Sequence, residues 1–508
     1  MVALKGFCRL PRELRDQIYA EYFTIEGGYH YDHAANKLVT AAGDGIDLNV
    51  RLTNRQVAVE TRGLAFKLNA VNFSTVYDRD LNQRAGNFNT LVTIINDLKG
   101  RYFLIDAQRS RLFDAKVRTY VEEHHPHFLP VLDALEAGSV TNSDSYVWKE
   151  TPSQSRHFVE STLHVMAAQP DFNETVTRAS NWHGRDDNPR PDPFPVVAHH
   201  HVPWSLPSEE ELAAMREIVS PHPIVATRFK NWQYWEKEKY RLSAATTSIA
   251  FLGSLTCKTR LELRNLVLHE DHVAVAWPEC HVQGLIPFCQ ENSKLRIERR
   301  VSLWKAMLPA AAASLYAIMT NPPAAQRRSR YDCVPPQILS RGSFGYSGVA
   351  DWIMEALALE SLGMPSGCFT FVIDGEPTPE QSTRVFNILQ HNAAWQTAYD
   401  LSIHDSTVWP VPLTWLQGRD HKAYIMRGFP DALKAISAGR SVVKCDIDTG
   451  LGLDVDKIIA EGRSWTQREW LENWSSTVQL HGNIHTSDPL PSWIELRMED
   501  MLEEEGTE

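Results

Sequence analysis

The sequence predicts an α+β fold that is predominantly helical, and three observations carry that prediction. Apolar residues recur at three- and four-residue steps along most of the chain. Runs rich in β-branched and aromatic residues are few and short, VNFSTVY at 71–77 and FTFVI at 369–373 being the clearest. Over 508 residues, 43% hydrophobic and 22% charged residues supply an ordinary globular core. That length is a prior of about three domains, and two large ones fit as well.

The first element is a helix from about Leu10 to Tyr22. Leu10, Leu14, Ile18 and Tyr22 recur every four residues and line one face. Pro11 suits the first turn, where its missing N–H is no loss, and Glu13 stands near the positive end of the helix dipole. Gly27 and Gly28 stop the helix. Apolar stripes are as a rule core, so the periodicity alone turns Leu14 and Ile18 inward.

Residues 29–40 (YHYDHAANKLVT) read as a hairpin with Ala34, Ala35 and Asn36 at its turn. A second helix is expected over about Leu48 to Leu68, with Leu52, Val57, Leu64 and Leu68 inward, followed by the extended segment Val71 to Tyr77. Helical periodicity then runs from Phe88 to about Ala137 and from His157 to about Ala179. Six prolines in residues 182–207 forbid regular helix and mark a linker.

Ser208 and Glu211 stand at the spacing of a capping box and open the second half. Helices are expected at about 229–255 and 296–319 around a mixed segment, 260–289, in which Val273, Val275 and Trp277 alternate like a strand. After the strand FTFVI, Thr378, Pro379 and Gln381 open a helix that buries Val385, Ile388, Leu389 and Trp395. No repeat of solenoid or propeller period is visible. The division that follows is an N-terminal module (1–84), a helical region (85–181), the linker (182–207), a mainly helical C-terminal domain with a few short strands (208–490) and an acidic tail (491–508).

The net charge of -12 is unevenly placed, because Glu499, Asp500, Glu503, Glu504, Glu505 and Glu508 stand in the last ten residues, as in a solvated terminus. An acidic chain without a basic stripe argues against nucleic acid; the local cluster Arg296, Arg299, Arg300 has Glu298 within it. Seven scattered cysteines, an N-terminus without an apolar signal region, and a longest apolar stretch (Ala306 to Met319) interrupted by Pro309 point to the cytoplasm or nucleus and to no membrane.

The run FCRLPRELRDQIYAEY at 7–22 resembles the opening helix of the F-box-like domains of filamentous-fungal proteins. The shared residues are Leu10, Pro11, Glu13, Leu14, Arg15 and Ile18. A second block at 52–77, with Arg55, Gln56, Glu60, Asn72 and Phe73, is similar to the second block of the same proteins. The resemblance is strongest over residues 1–80; the blocks around 262–304 and 369–399 look like long uncharacterised members. It implies a protein-interaction module in which Leu10, Pro11, Leu14 and Ile18 dock a Skp-type adaptor of a cullin ubiquitin ligase. Here a hairpin insertion separates the two helices.

Chemistry has few candidates, and no catalytic residue is expected. His269, His272, Cys280 and Cys289 offer zinc-type ligands, but their spacing follows no standard finger, so structural roles are preferred and no cofactor is expected. Gly345, Tyr346, Ser347 and Gly348 approach a nucleophile elbow without its closing glycine and read as a loop. Asp374 and Glu376 end a strand but suit turn formation. His124, His125 and His127, and His199, His200 and His201, read as loop histidines. Residues 231–241 interleave aromatics with Lys and Arg at helical spacing, a core stripe with a charged outer face. The expected function is a non-enzymatic adaptor. The alternatives are a small-molecule enzyme or zinc-stabilised domain in the second half, or N-terminal helices that are purely structural.

Overall fold

The computed structural model describes residues 7–109, 113–137, 148–179, 191–222, 238–310, 338–339, 344–403 and, with short breaks, 409–502. The architecture is mixed α/β, helix being the larger share. The strands do not stay scattered. Seven of them join one sheet: β1 (Tyr29–Asp32), β2 (Lys37–Thr40), β3 (Ala70–Ser74), β4 (Asn265–Glu270), β5 (Arg296–Ser302), β6 (Phe369–Asp374) and β7 (Val443–Cys445).

Their order is β2-β1-β3-β4-β5-β6-β7, with β2 antiparallel to β1 and every other pair parallel. Each parallel crossover therefore steps in the same direction. Because such crossovers are right-handed, stepping one way stacks their helices on one face of the sheet. That face is the apolar one. Val71 and Phe73, Leu266 and Leu268, Ile297 and Val301, Phe369, Phe371 and Ile373, and Val443 share a core with helices Ala244–Ser254, Phe344–Ala358, Pro379–Ser402 and Phe429–Ser437.

The hairpin at 29–40 forms with Tyr29 opposite Thr40 and Asp32 opposite Lys37, and Asn36 takes the left-handed turn position. Gly28 is required just before it. Its φ is +70°, and a Cβ there would stand 2.5 Å from the carbonyl oxygen of Ala70 on the neighbouring strand.

Between β3 and β4 the chain builds a second, all-helical core. Helices Arg79–Arg109, Ala115–His124, Leu129–Glu136, Pro152–Ala167, Phe172–Ala179 and Glu209–Val219 enclose Phe103, Phe128, Trp148 and Phe158. The Phe128 and Phe158 rings stack at 4.2 Å. Ser208 and Glu211 form the expected capping box in both directions.

Several expected elements need correction. Residues 296–302 are a central strand, not the start of a helix; a π-turn at Leu303–Met307 and a short helix at Leu308–Ala310 follow, and the rest of the expected helix lies outside the described residues. Residues 48–68 break into a 3-10 turn (Asn49–Leu52) and helices Arg55–Glu60 and Leu64–Leu68, and Leu52 faces solvent. Within 229–255 the helix occupies Ala244–Ser254; residues 223–237 lie outside the described residues, and at the end of the 231–241 run Arg241 is buried in a short strand with Leu242, not on a charged outer helix face. Val273 to Trp277 form no strand: Ala276 and Trp277 take φ of +59° and +62°. Ser347 lies within helix Phe344–Ala358, not in a loop. Thr378 precedes its helix without a side-chain capping bond. In the proline-rich segment, helix Phe194–Ala198 buries Val196 and Val197 in the helical core, so this part is packed. The acidic terminus also begins packed: Asp500 is buried and pairs with Arg241 at 2.5 Å.

Candidate docking surfaces

Helix Arg12–Phe23 is turned the opposite way to its apolar periodicity. It buries Arg15, Tyr19 and Phe23. Leu14, Ile18 and Tyr22 are 45%, 46% and 42% exposed, too much for core positions. Pro11 is exposed as well, and Leu10 is half-buried.

The cause is a charged anchor beneath the helix. Arg15 Nη2 and Nε donate to Glu60 Oε1 and Oε2 at 2.6 and 3.0 Å. Two further donors reach the same carboxylate, the Tyr19 hydroxyl at 2.9 Å and Gln56 Nε2 at 2.9 Å. Arg15, above all, holds the Glu60 carboxyl down to about 2. Burial, then Glu60, pushes the Tyr19 phenol up to about 12. Asn54 caps helix Arg55–Glu60 by accepting from Gln56 N at 2.8 Å, which presents Glu60 to Arg15. With a bidentate pair fixing one side, Phe23, Tyr19 and Val57 complete a small satellite core, and the Leu14–Ile18–Tyr22 stripe is left outside. The Tyr22 hydroxyl donates to Asp47 at 2.8 Å, bringing the loop that carries exposed Leu48 and Leu52 beside the stripe.

A second surface comes from the sheet. Parallel sheets are as a rule covered on both faces. Here the residues that alternate with the core positions are polar or half-exposed, buried Val372 apart: His30, Asn72 and Ser74, Val267 and His269, Glu298 and Arg300, Thr370 and Asp374, and Lys444. None belongs to a hydrophobic core cluster. Side-chain bonds within and between strands order this face. His269 Nε2 hydrogen-bonds Asn72 Oδ1 at 3.2 Å, and Arg300 donates to Glu298 at 2.6 Å and to Asp446 at 2.9 Å.

The apolar face carries one ion pair. Arg299 and Glu270, each about 1% exposed, meet at 2.7 Å. Glu270 also accepts from Ala244 N at 2.9 Å, at the start of the helix that follows Ser243. Arg299 donates on to Pro278 O at 2.7 Å and lies over the Trp352 ring at 4.5 Å. This one pair joins two strands, a helix start, the 278–285 turn and helix Phe344–Ala358.

The four zinc-type candidates are not brought together. His269 lies on the open face, whereas Cys289 is in the core on the other side. His272 pairs with Asp271 at 3.2 Å, and the Cys280 thiol donates to Trp277 O. Among the described residues no group of His, Cys, Asp and Glu is arranged to hold a metal ion. Asp374 accepts from Glu376 N at 3.0 Å, a turn role. His125 and His201 lie outside helices and strands, as read from the sequence, but they are enclosed, and burial holds His125 down to about 4 and His201 to about 3.

The open-face residues were missed because Arg299 hides their signal. Residues 296–302 alternate polar and buried, but the buried series reads Ile297, Arg299, Val301, and a charged residue inside it breaks the apolar alternation.

No protein-family model, no curated protein and no solved structure matches this chain. Among the described residues no helix is long and apolar enough to cross a membrane.

Proposed function

We propose that this chain is an interaction protein with two docking surfaces and that its N-terminal helix engages a Skp-type adaptor of a cullin ubiquitin ligase. One observation carries the reading: Leu14, Ile18 and Tyr22 stand exposed on a helix whose opposite side is pinned by Arg15 and Glu60. Burying such a stripe against a partner is favourable by roughly 1.5–3 kcal/mol for each large side chain fully covered. Leu10, Pro11, Leu14 and Ile18 are the adaptor contacts on this reading. The polar face of the sheet is the second surface, and it holds the protein that the adaptor complex acts upon.

The test is affinity capture of the full chain from a fungal extract, read by mass spectrometry, beside the Leu14→Asp, Ile18→Asp double variant. Recovery of a Skp-type adaptor and cullin, lost in a variant with an unchanged unfolding transition, supports the reading. An adaptor that stays bound to the variant, or that is never recovered, sinks it.

A further inference from the structure

The last described residues lie in a basic cradle that neither docking surface uses. Helix Trp493–Met498 is anchored by Trp493 and Leu496, both buried, and the Trp493 ring stands 5.7 Å from Trp304. Beyond this helix, Glu499, Asp500 and Met501 run across residues 238–241. Lys239 N donates to Asp500 O at 2.7 Å, and Lys239 Nζ donates to Glu499 O at 3.1 Å. Met501 makes an antiparallel bridge with Glu238. The Arg241 guanidinium pairs with the Asp500 carboxylate at 2.5 Å, and Lys305 reaches Glu499 at 3.7 Å.

The cradle is held from its other side. Asn82, on helix Arg79–Arg109, accepts from Tyr240 N at 2.7 Å and donates to Glu238 O at 3.0 Å. The Tyr240 ring lies on Gly86 of the same helix, where a Cβ would stand 2.6 Å from it. Strand Arg241–Leu242 pairs antiparallel with Val76–Tyr77, and Arg241 O accepts from Val275 N at 3.0 Å. Residues 238–241 are therefore fixed without help from the terminal segment, and they present a formed edge to it. The edge also lies at the carboxyl end of the sheet, because Val76–Tyr77 follows β3 directly and Lys305 follows β5. Open α/β sheets take their ligands outside those strand ends.

Residues 499–501 enter this edge as a peptide ligand does. Main-chain bonds to a sheet edge supply affinity, and side-chain sites beside it supply specificity. Here the specific element is charge, with Lys239, Arg241 and Lys305 gathered about Glu499 and Asp500. Arg241 is buried, so it demands a carboxylate, and Met501, buried beside that carboxylate, adds an apolar contact. The tie is nonetheless slight. The bridge to Glu238 is an isolated one, the Lys305 and Glu499 side chains keep 38% and 42% exposure, and Met498 at the end of the helix is exposed.

We propose that residues 238–241 and Lys305 form a docking groove for an extended acidic peptide, and that residues 499–501 occupy it in cis as a displaceable strap. The strap swings about Met498 while Trp493 and Leu496 keep their helix seated. A partner segment with a carboxylate followed by an apolar residue then replaces Asp500 on Arg241 and accepts from Lys239 N.

The test uses the full chain and a fluorescein-labelled peptide of residues 495–502, ELRMEDML, read by fluorescence anisotropy. Asp500→Ala weakens the strap in cis, so this variant should bind the peptide saturably and about tenfold tighter than the parent does. An unlabelled peptide carrying Glu499→Gln and Asp500→Asn should not compete. Hydrogen exchange on the parent chain needs no variant: amides at 499–502 should exchange about a hundredfold faster than those of β4 and β5. A folded Asp500→Ala chain that binds no peptide overturns the proposal. So does equal competition by the charged and neutral peptides, or a strap as well protected as the central strands.

Discussion

Two helices whose apolar residues each line one face meet opposite fates. In Pro379–Ser402, Val385, Leu389 and Trp395 turn into the main core as their periodicity directs. In Arg12–Phe23, Leu14, Ile18 and Tyr22 turn out, and a guanidinium goes in. The difference lies in what waits beneath each helix. The first lies in the main core, near helices Phe429–Ser437 and Val455–Gly462, where its apolar residues are buried together with hydrogen-bonded polar ones such as Gln396. The second covers a satellite core of Tyr19, Phe23 and Val57, too small to take three more large side chains, and a carboxylate is already presented there. Periodicity says which residues share a face; the partner element decides which face is buried.

The comparison can be broken most severely at the main core. Arg299→Met should cost about 3–5 kcal/mol in chemical denaturation, since it strands the buried Glu270 carboxylate. Replacing both partners with apolar residues of similar volume should recover most of that loss. Leu389→Ala should cost about 2–5 kcal/mol, the usual range for a buried leucine left as a cavity. A value near zero would show that this helix, too, is loosely seated.

A smaller and pH-dependent effect is expected under the N-terminal helix. The Glu60 carboxyl is depressed in the fold from 4.5 to about 2, so its contribution is fully present above the unfolded value. It is lost as pH falls through that window. Hydrogen exchange in residues 12–23 should therefore accelerate between about pH 4.5 and 2, and Glu60→Gln should remove the pH dependence. The smallest effect belongs to the stripe itself: Leu14→Asp and Ile18→Asp should each change stability by no more than about 0.5 kcal/mol, as surface substitutions do. A large loss at either position would mean that the stripe is core, and the docking surface would go with it.

Much of the local structure was legible in the sequence. The first helix, the 29–40 hairpin, the strand at 369–374, the Ser208–Glu211 cap and the long helix from Pro379 all rest on short-range signals: spacing, turn residues and capping pairs. The sheet was not legible as a sheet. Its parallel strands are separated by irregular lengths of chain, the longest holding an entire helical core between Ser74 and Asn265, so no repeat period appears. Neither Ser347 in its helix nor His269 on the open face could be placed by counting residues.

By itself, then, the sequence determined many of the segments that become helix or strand, though not the central strand at 296–302, and the residues that share each face, because backbone sterics and side-chain period act within a few residues. Which face is buried was decided only when distant segments met. Glu60 was needed to turn Arg15 inward and Leu14 outward. Six parallel strands stepping one way were needed to leave one side of a sheet uncovered. Those outcomes depend on desolvation and on charge pairing across long loops, and neither leaves a local mark on the chain.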